Sequence, residues 1–189
     1  MNIQKQCKKI SQDTYQFPHW STIANTYAEA VLLVLEDIKS SRPFYNYREG
    51  NISEHTLRET ERKQVGIKQA THNGIVTINV QLGEKYKGKS VEEVRKLFEV
   101  NEFGLGAYEI GCILLTEPDI LNDNSLWIDC AGDEFDAPAA AVRFDHAPYF
   151  DFSVGRVGFG TYWCGHAYGH YGSVSAFVPQ SIEFRNLDA

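Results

Sequence analysis

The sequence predicts an α+β fold, in which helices of the N-terminal two-thirds pack on one face of a mainly antiparallel sheet built largely from the C-terminal third. Two observations predict it. Before residue 117, apolar residues recur mainly at helical spacing, whereas the last third shows the two-residue alternation of half-buried strands. The strands of the last third are also short and joined by tight turns, which favours antiparallel pairing.

A β-hairpin at residues 149–163 is the clearest element of this sheet. Its two strands alternate in period two, and Gly155-Arg156 between them fits a type II′ turn, which needs glycine at its first central position. That turn predicts that Phe152 faces Phe159 on an apolar face directed at the helices.

The opposite face of the hairpin is polar and shallow. Its glycines leave room for a closely approaching backbone or ligand, so the face is predicted either to be packed by another element or to form an open groove, and the groove is favoured. Its residues are Tyr149, Asp151, Ser153, Gly158, Gly160, Tyr162 and Cys164.

The remaining elements follow in chain order. Residues 1–18 are polar and are expected to be partly mobile. Helices are predicted at 21–41, at 53–69, from a capping box of Ser90 and Glu93, and at 103–116. Strands are predicted at 75–82, 126–131 and 173–178, and residues 44–47 are an aromatic connector. No linker divides the chain, so a single domain spanning 1–189 is predicted.

Charge and composition disfavour several classes of function. A formal net charge of −7 argues against nucleic-acid binding, and the one basic run, 58–68, contains two glutamates and is predicted to be a solvated helix face. The longest apolar run, 28–35, is far shorter than the roughly 20 residues that span a bilayer, so no membrane association is expected. The N-terminus lacks a secretory pattern, and the four cysteines lack CxxC spacing. These features predict a cytoplasmic protein with free thiols.

Three residues of the loop 164–172 have the chemistry of metal ligands. Cys164, His166 and His170 are close enough in sequence to converge, and thiolate and imidazole suit zinc. Their spacing matches no strong zinc signature, so a plain loop between two strands is the competing interpretation. A third interpretation of this loop is that Cys164 is a nucleophile activated by His166. Apart from this zinc possibility, no cofactor is expected.

Two carboxylates in apolar surroundings are candidate site residues. The neighbours of Glu109 are all apolar or glycine, so burial would raise its pKa into the range of proton transfer, unless it lies on an exposed stripe or bonds the backbone. Asp129 lies within a predicted strand, on the same face as Trp127. The acidic residues that follow either hold a divalent cation or form a solvated turn: Asp133, Glu134 and Asp136.

The leading hypothesis is a cytoplasmic, non-catalytic binding or protein-interaction domain that uses the aromatic hairpin 149–163 and the loop 164–172. Tyrosine gives contact area at low entropic cost, and no catalytic motif is present. An acidic inhibitor that covers a basic partner surface is one example of such a domain. The predicted binding residues are Tyr149, Asp151, Tyr162, Tyr168, Glu109 and Asp129.

The alternative is an enzyme, or a small-molecule or metal-binding protein, with a pocket between the helices and the sheet. Geometry separates the two hypotheses, because the alternative requires Glu109 to lie within reach of Asp129 or Tyr162 in one concave pocket. The predicted lining of that pocket is Glu109, Asp129, Asp151, Tyr162, Cys164 and His166.

Overall fold

The computed structural model describes residues 2–123, 125–138 and 140–178. These residues form four α-helices, α1 (Tyr27–Ser41), α2 (Glu61–Ala70), α3 (Val91–Leu97) and α4 (Ala107–Thr116). They also form strands β1 (Lys8–Lys9), β2 (Thr14–Pro18), β3 (Phe44–Asn46), β4 (Leu57–Glu59), β5 (Thr71–His72), β6 (Ile75–Gln81), β7 (Glu102–Gly104), β8 (Trp127–Asp129), β9 (Asp133–Phe135), β10 (His146–Ser153), β11 (Arg156–Trp163), β12 (Tyr171–Ser173) and β13 (Ser175–Phe177). None of the described helices is long and apolar enough to cross a membrane.

The strands form two sheets, both mainly antiparallel. In the first sheet the order is β1-β2-β6-β13-β7, and β5 also pairs with β6. In the second sheet the order is β12-β8-β10-β11-β3, with β9 paired to β10 and β4 paired to β9. The pairs of β3 with β11 and of β12 with β8 are parallel. The predicted α+β class is confirmed, although the strands build two sheets and most strands of the first come from the N-terminal two-thirds.

The helices connect the two sheets. α1 and α4 pack on each other, α1 also contacts β3 and β4 of the second sheet, and α4 contacts β2 of the first. Every residue of α4 from Ala107 to Leu115 is buried, as expected for a helix that is apolar all round. The inner face of the second sheet adds Ile128, Phe150 and Phe159 to the same core.

The hairpin of β10 and β11 forms with a different turn from the predicted one. Val154 and Gly155 are its two central residues, with φ of 52° and 74°, as a type I′ turn requires. Phe150 therefore faces Phe159, with ring centroids 5.1 Å apart, in place of the predicted Phe152. Val154 is β-branched and has a positive φ, a backbone conformation that such residues rarely adopt. The register prediction was wrong by two residues, and a shift of two leaves each side chain on its predicted face.

Three helices begin later than predicted because other elements precede them. The first follows a 3₁₀ turn at Trp20–Thr22, the second follows β4, and the fourth follows β7. The capping box predicted for α3 is confirmed, since Ser90 Oγ accepts the Glu93 N–H at 3.2 Å and Glu93 accepts the Ser90 N–H at 2.9 Å.

The strands that the sequence did not reveal are short. The N-terminal segment 1–18, expected to be partly mobile, contains β1 and β2, and Tyr15 and Phe17 of β2 are buried against the core. Residues 44–46 of the predicted connector form β3. The predicted strand 173–178 is divided at Val174 between β12 and β13, which belong to different sheets.

Candidate functional site

Aromatic rings cover much of the outer face of the second sheet, which is opposite the face that carries Ile128, Phe150 and Phe159. Side chains of paired residues point to the same side of a sheet, and the registers place Tyr45 beside Gly158, Tyr149 beside Asp129, and Tyr171 beside Trp127. Five strands and the loop before β12 contribute to this surface. We call it the aromatic face, and its rings are Tyr45, Tyr47, Trp127, Tyr149, Tyr162, Tyr168 and Tyr171.

The rings of the aromatic face contact one another. Trp127 stacks on Tyr149 at 5.5 Å and on Tyr171 at 4.8 Å between ring centroids. Tyr162 meets Tyr171 edge-on at 4.9 Å, and Tyr168 meets Tyr171 at 4.7 Å. Such pairs fix each ring against its neighbours and add to the free energy of packing. The result is a preformed surface.

The tyrosines of the chain are divided sharply between core and aromatic face. Of the ten tyrosines, four are buried away from this face, namely Tyr15, Tyr27, Tyr86 and Tyr108. The other six lie on it, and five of these are half-buried or exposed, with Tyr168 at 40%. The accessible tyrosine surface is therefore concentrated on one side of the molecule, as at many protein interfaces.

A buried acid lies beneath the rings. Asp129 is 0% exposed, and Tyr162 donates a hydrogen bond of 3.2 Å to its Oδ1. Its Oδ2 has no hydrogen-bond partner within the part of the chain that the structure describes. Burial raises the pKa of Asp129 to about 8, although the bond from Tyr162 acts in the opposite direction. The carboxyl is therefore mostly neutral at pH 7.

The shallow groove predicted beside the hairpin glycines is occupied by side chains of β10, and this prediction was wrong. A Cβ on Gly160 would lie 2.6 Å from the phenol oxygen of Tyr149, and a Cβ on Gly158 would overlap the carboxyl of Asp151. Asp151 is buried, which raises its pKa, and Ser153 donates a hydrogen bond of 3.2 Å to it. The glycines thus allow the aromatic and acidic side chains of the neighbouring strand to lie flat on the sheet.

The three predicted zinc ligands do not converge. Cys164 is buried beneath α3, and its Sγ lies 3.7 Å from the guanidinium of Arg95. His166 stacks on Tyr168 at 4.2 Å, and His170 contacts Trp127 edge-on at 5.1 Å. Within residues 2–123, 125–138 and 140–178, no group of three His, Cys, Asp or Glu side chains is placed to hold a metal ion.

The thiol of Cys164 is also unsuited to nucleophilic attack. Burial raises its pKa to about 11, and the nearby Arg95 offsets only part of this effect. At neutral pH the residue is a thiol packed in a small core beneath α3, together with Tyr86, Val91, Val94, Phe98, Ala131 and Ala147.

Glu109 belongs to a separate, buried ionic network. Its Oε2 lies 2.7 Å from Lys63 Nζ and accepts the Gly106 N–H at 3.0 Å. Lys63 Nζ also lies 2.9 Å from Asp133 and 2.6 Å from the phenol oxygen of Tyr27. A Cβ at position 106 would overlap three of these side chains, so only glycine fits there. Glu109 is buried, as predicted, and is both paired and bonded to the backbone.

The network carries more negative than positive charge. Burial alone would lower the pKa of Lys63, but attraction to Asp133, Glu109 and Glu59 outweighs it and holds the lysine charged. Burial raises the pKa of Glu109, while Lys63 opposes that shift. The basic run 58–68 was predicted to be a solvated helix face. Lys63, at the centre of this run, is 0% exposed, so the prediction was wrong at this position.

A surface cleft of about 600 Å³ borders this network through Glu59. The residues of the predicted pocket nevertheless lie in different places. Glu109 is in the network, Asp129, Asp151 and Tyr162 are at the aromatic face, Cys164 is beneath α3, and His166 is exposed on the loop. The cleft is lined by His19, Trp20, Ser21, Thr22, Glu59, Gln64, Ile67, Lys68, Thr71 and Gly74.

Comparisons with protein-family models, curated proteins and solved structures found no match to this chain. The site is therefore defined by its own geometry. The structure brings together five of the six predicted binding residues, and it adds Tyr45, Tyr47, Trp127 and Tyr171 to the same surface. The Tyr-Asn-Tyr alternation at 45–47 is the signal that could have placed the first two on one face of a strand.

Proposed function

We propose that this chain is a protein-binding domain that holds a basic surface of a partner protein against the aromatic face. The observation that carries the proposal is the burial of Asp129 and Asp151 on the aromatic face, which carries seven rings, in a chain with a formal net charge of −7. The π face of an aromatic ring attracts ammonium and guanidinium groups. Carboxyl groups beneath the rings strengthen the same attraction when they are ionised.

The chemistry required of a partner already occurs within the molecule. The guanidinium of Arg156 lies over the ring of Tyr45 with its carbon 4.5 Å from the ring centroid. An arginine or lysine of a partner would meet the same kind of ring at Tyr162 and Tyr168, which have accessible surface. Because Trp127, Tyr149 and Tyr171 stack on one another, these rings lose little side-chain entropy on binding.

Two other features support a binding role in the cytoplasm. Glu109 pairs with Lys63 in the ionic network, whereas Asp129 pairs with Tyr162 on the aromatic face, and this separation favours a binding role over the enzyme hypothesis. The four cysteines are free and buried, which suits a reducing compartment.

Calorimetric titration with hexalysine, hexaarginine and hexaglutamate peptides tests the proposal. We expect the two basic peptides to bind and the acidic one not to bind. Tyr168→Ala is expected to weaken binding at least about fivefold, which is about 1 kcal/mol, because tyrosine is enriched among the residues that contribute most to binding.

Trp163→Ala is the matched control for this titration. Trp163 is an exposed aromatic adjacent in sequence to Tyr162 but on the other side of β11. It should leave the affinity unchanged. Equal affinities in the wild type and both variants would show that the peptides bind the acidic surface at large, and would contradict the proposal.

A further inference from the structure

We infer that Asp129 and Ser173 form the floor of a subsite for one primary ammonium group, such as the side chain of a lysine on the partner. The inference deepens the proposed function and rests on it. It identifies the part of the aromatic face at which a single cationic side chain is anchored.

Two unpaired polar atoms on neighbouring strands mark this subsite. Asp129 on β8 and Ser173 on β12 are partners in the register, and both are 0% exposed. Neither Asp129 Oδ2 nor Ser173 Oγ has a hydrogen-bond partner among the residues that the structure describes. Buried polar atoms in proteins are nearly always bonded, so two unbonded ones on paired residues indicate a missing partner.

The surroundings specify the chemistry of the missing group. A carboxylate and a hydroxyl accept hydrogen bonds, and a lysine ammonium offers three donors in a compact head. The side chains around Asp129 are π-rich and favour a cation over a neutral amine: Trp127, Tyr149, Tyr162 and Tyr171. A quaternary ammonium is excluded because it has no N–H to donate. An anion is excluded because the ionised carboxyl of Asp129 would repel it.

Access to the floor runs past Tyr168. The rings are in contact, so a ligand must displace one of them. Tyr168 contacts Tyr162 and Tyr171 and is more exposed than either of them. It lies in the exposed loop before β12, flanked by Gly165 and Gly169. No atom lies within 4 Å of a Cβ built on Gly169, so the loop is not crowded by other atoms on that side.

The protonation of Asp129 makes binding depend on pH. The free protein holds the Asp129 proton up to about pH 8, so an ammonium must release that proton when it binds. Tyr149, Tyr162 and Tyr171 lie beside Asp129 on the aromatic face, and Cys130 follows it in the chain; burial raises the pKa of each, that of Tyr149 to about 12. These groups stay neutral below pH 9. His166 and His170 contact Tyr168 and Trp127 of the same face, and the variant Asp129→Asn isolates the part of the pH dependence that is due to Asp129.

The test is an NMR titration with acetyl-Gly-Lys-Gly-amide, followed at the Trp127 indole N–H between pH 6 and pH 9. We expect the affinity to rise about tenfold per pH unit up to pH 8 and to level off above it, because only the ionised fraction of Asp129 binds. Peptides with Nε-acetyl-lysine or Nε-trimethyl-lysine should bind at least tenfold more weakly. Asp129→Asn should lose at least tenfold in affinity at pH 8.5, together with the pH dependence.

Ser173→Ala is the second variant and keeps the carboxyl. It should weaken binding severalfold and keep the pH dependence. Equal binding of the lysine and trimethyl-lysine peptides, or an unchanged affinity in Asp129→Asn, would overturn the subsite. If Tyr168→Ala still weakened the binding of hexalysine, the proposed function would stand without the subsite. If Tyr168→Ala left the affinity for hexalysine unchanged, the proposed function itself would be overturned.

Discussion

The phenol of Tyr162 donates a hydrogen bond to the carboxyl of Asp129, and the two oxygens lie 3.2 Å apart. This bond joins a half-buried ring of the aromatic face to an acid that has no exposed surface. The exposed surface of the aromatic face is therefore bonded directly to a buried carboxyl group. A change of charge at Asp129 is expected to alter both the stability of the fold and binding at this face.

The stability of the protein is expected to fall with rising pH because of Asp129. The folded chain keeps this proton up to about pH 8, whereas an unfolded chain releases it near pH 4. Between these values the unfolded state binds fewer protons, so the free energy of unfolding falls by up to about 1.4 kcal/mol per pH unit from this one group.

Urea melts at pH 5, 6.5 and 8 measure this slope in the wild type and in Asp129→Asn. The variant replaces the neutral acid with an uncharged group of similar shape, so it should show a shallower slope and be at least as stable as the wild type at pH 8. Asp13→Asn, at an exposed position, should keep the wild-type slope. Parallel slopes in all three proteins would show that Asp129 is ionised in the folded state.

Gly160 is predicted to be essential for the packing of Tyr149. Gly160→Ala places a Cβ 2.7 Å from the ring carbon that bears the Tyr149 hydroxyl, so the ring must leave its stack on Trp127. The free energy of unfolding should fall by roughly 1–3 kcal/mol. Gly169→Ala, which meets no atom within 4 Å, should change it by less than about 0.5 kcal/mol. Thermal melts of equal stability for the two variants would contradict the observed position of Tyr149.

The buried network should be strongly sensitive to loss of its single cation. Lys63→Met leaves Glu59, Glu109 and Asp133 without their ammonium partner, and the free energy of unfolding at pH 7 should fall by about 3–5 kcal/mol. The deficit should shrink as the pH falls, because burial raises the pKa of Glu109 and its carboxyl then takes up a proton. Lys68→Met, on the exposed side of the same helix, is the control and should stay within about 0.5 kcal/mol of the wild type. If Lys63→Met lowered the free energy of unfolding only slightly, water must reach the carboxyl groups of the network.

The register of the hairpin predicts which phenylalanine matters most. Phe150→Ala and Phe159→Ala each remove a fully buried ring of the cross-strand pair and should cost about 3–5 kcal/mol. Phe152 is half-buried and faces Val157, so Phe152→Ala should cost clearly less. Chemical denaturation of the three variants decides between this register and the type II′ alternative, in which the loss at position 152 would equal that at 159.

Much of the fold could be predicted from patterns that depend on burial. The all-apolar segment around Glu109 predicted the buried α4, and the Ser90–Glu93 pair predicted the start of α3. The two-residue alternation placed Tyr149, Asp151 and Tyr162 on one face of the sheet. Short strands such as β3 offer too few residues for a pattern, and their formation depends on partners distant in sequence.

The clusters of the site could not be predicted, because they are formed by contacts between distant segments. Lys63 is in a run of charged residues, and only the positions of Glu109 and Asp133 make its burial possible. Cys164 was assigned to a loop with two histidines, and α3, which packs over it, is about 70 residues earlier in the chain. Sequence proximity suggested convergence at 164–170, whereas the packing of distant elements separated these side chains.

Mapping the binding surface by NMR tests the central claim most directly. Amide and indole shifts are followed while hexalysine is added to the uniformly ¹⁵N-labelled full chain at pH 8. We expect the largest shifts at the Trp127 indole and at the amides of Gly158, Gly160, Tyr162 and Tyr168, with little change along α2 and the cleft beside it. Largest shifts at Glu59, Gln64 and Lys68, or shifts scattered over all acidic surfaces, would contradict the assignment of the aromatic face as the binding surface.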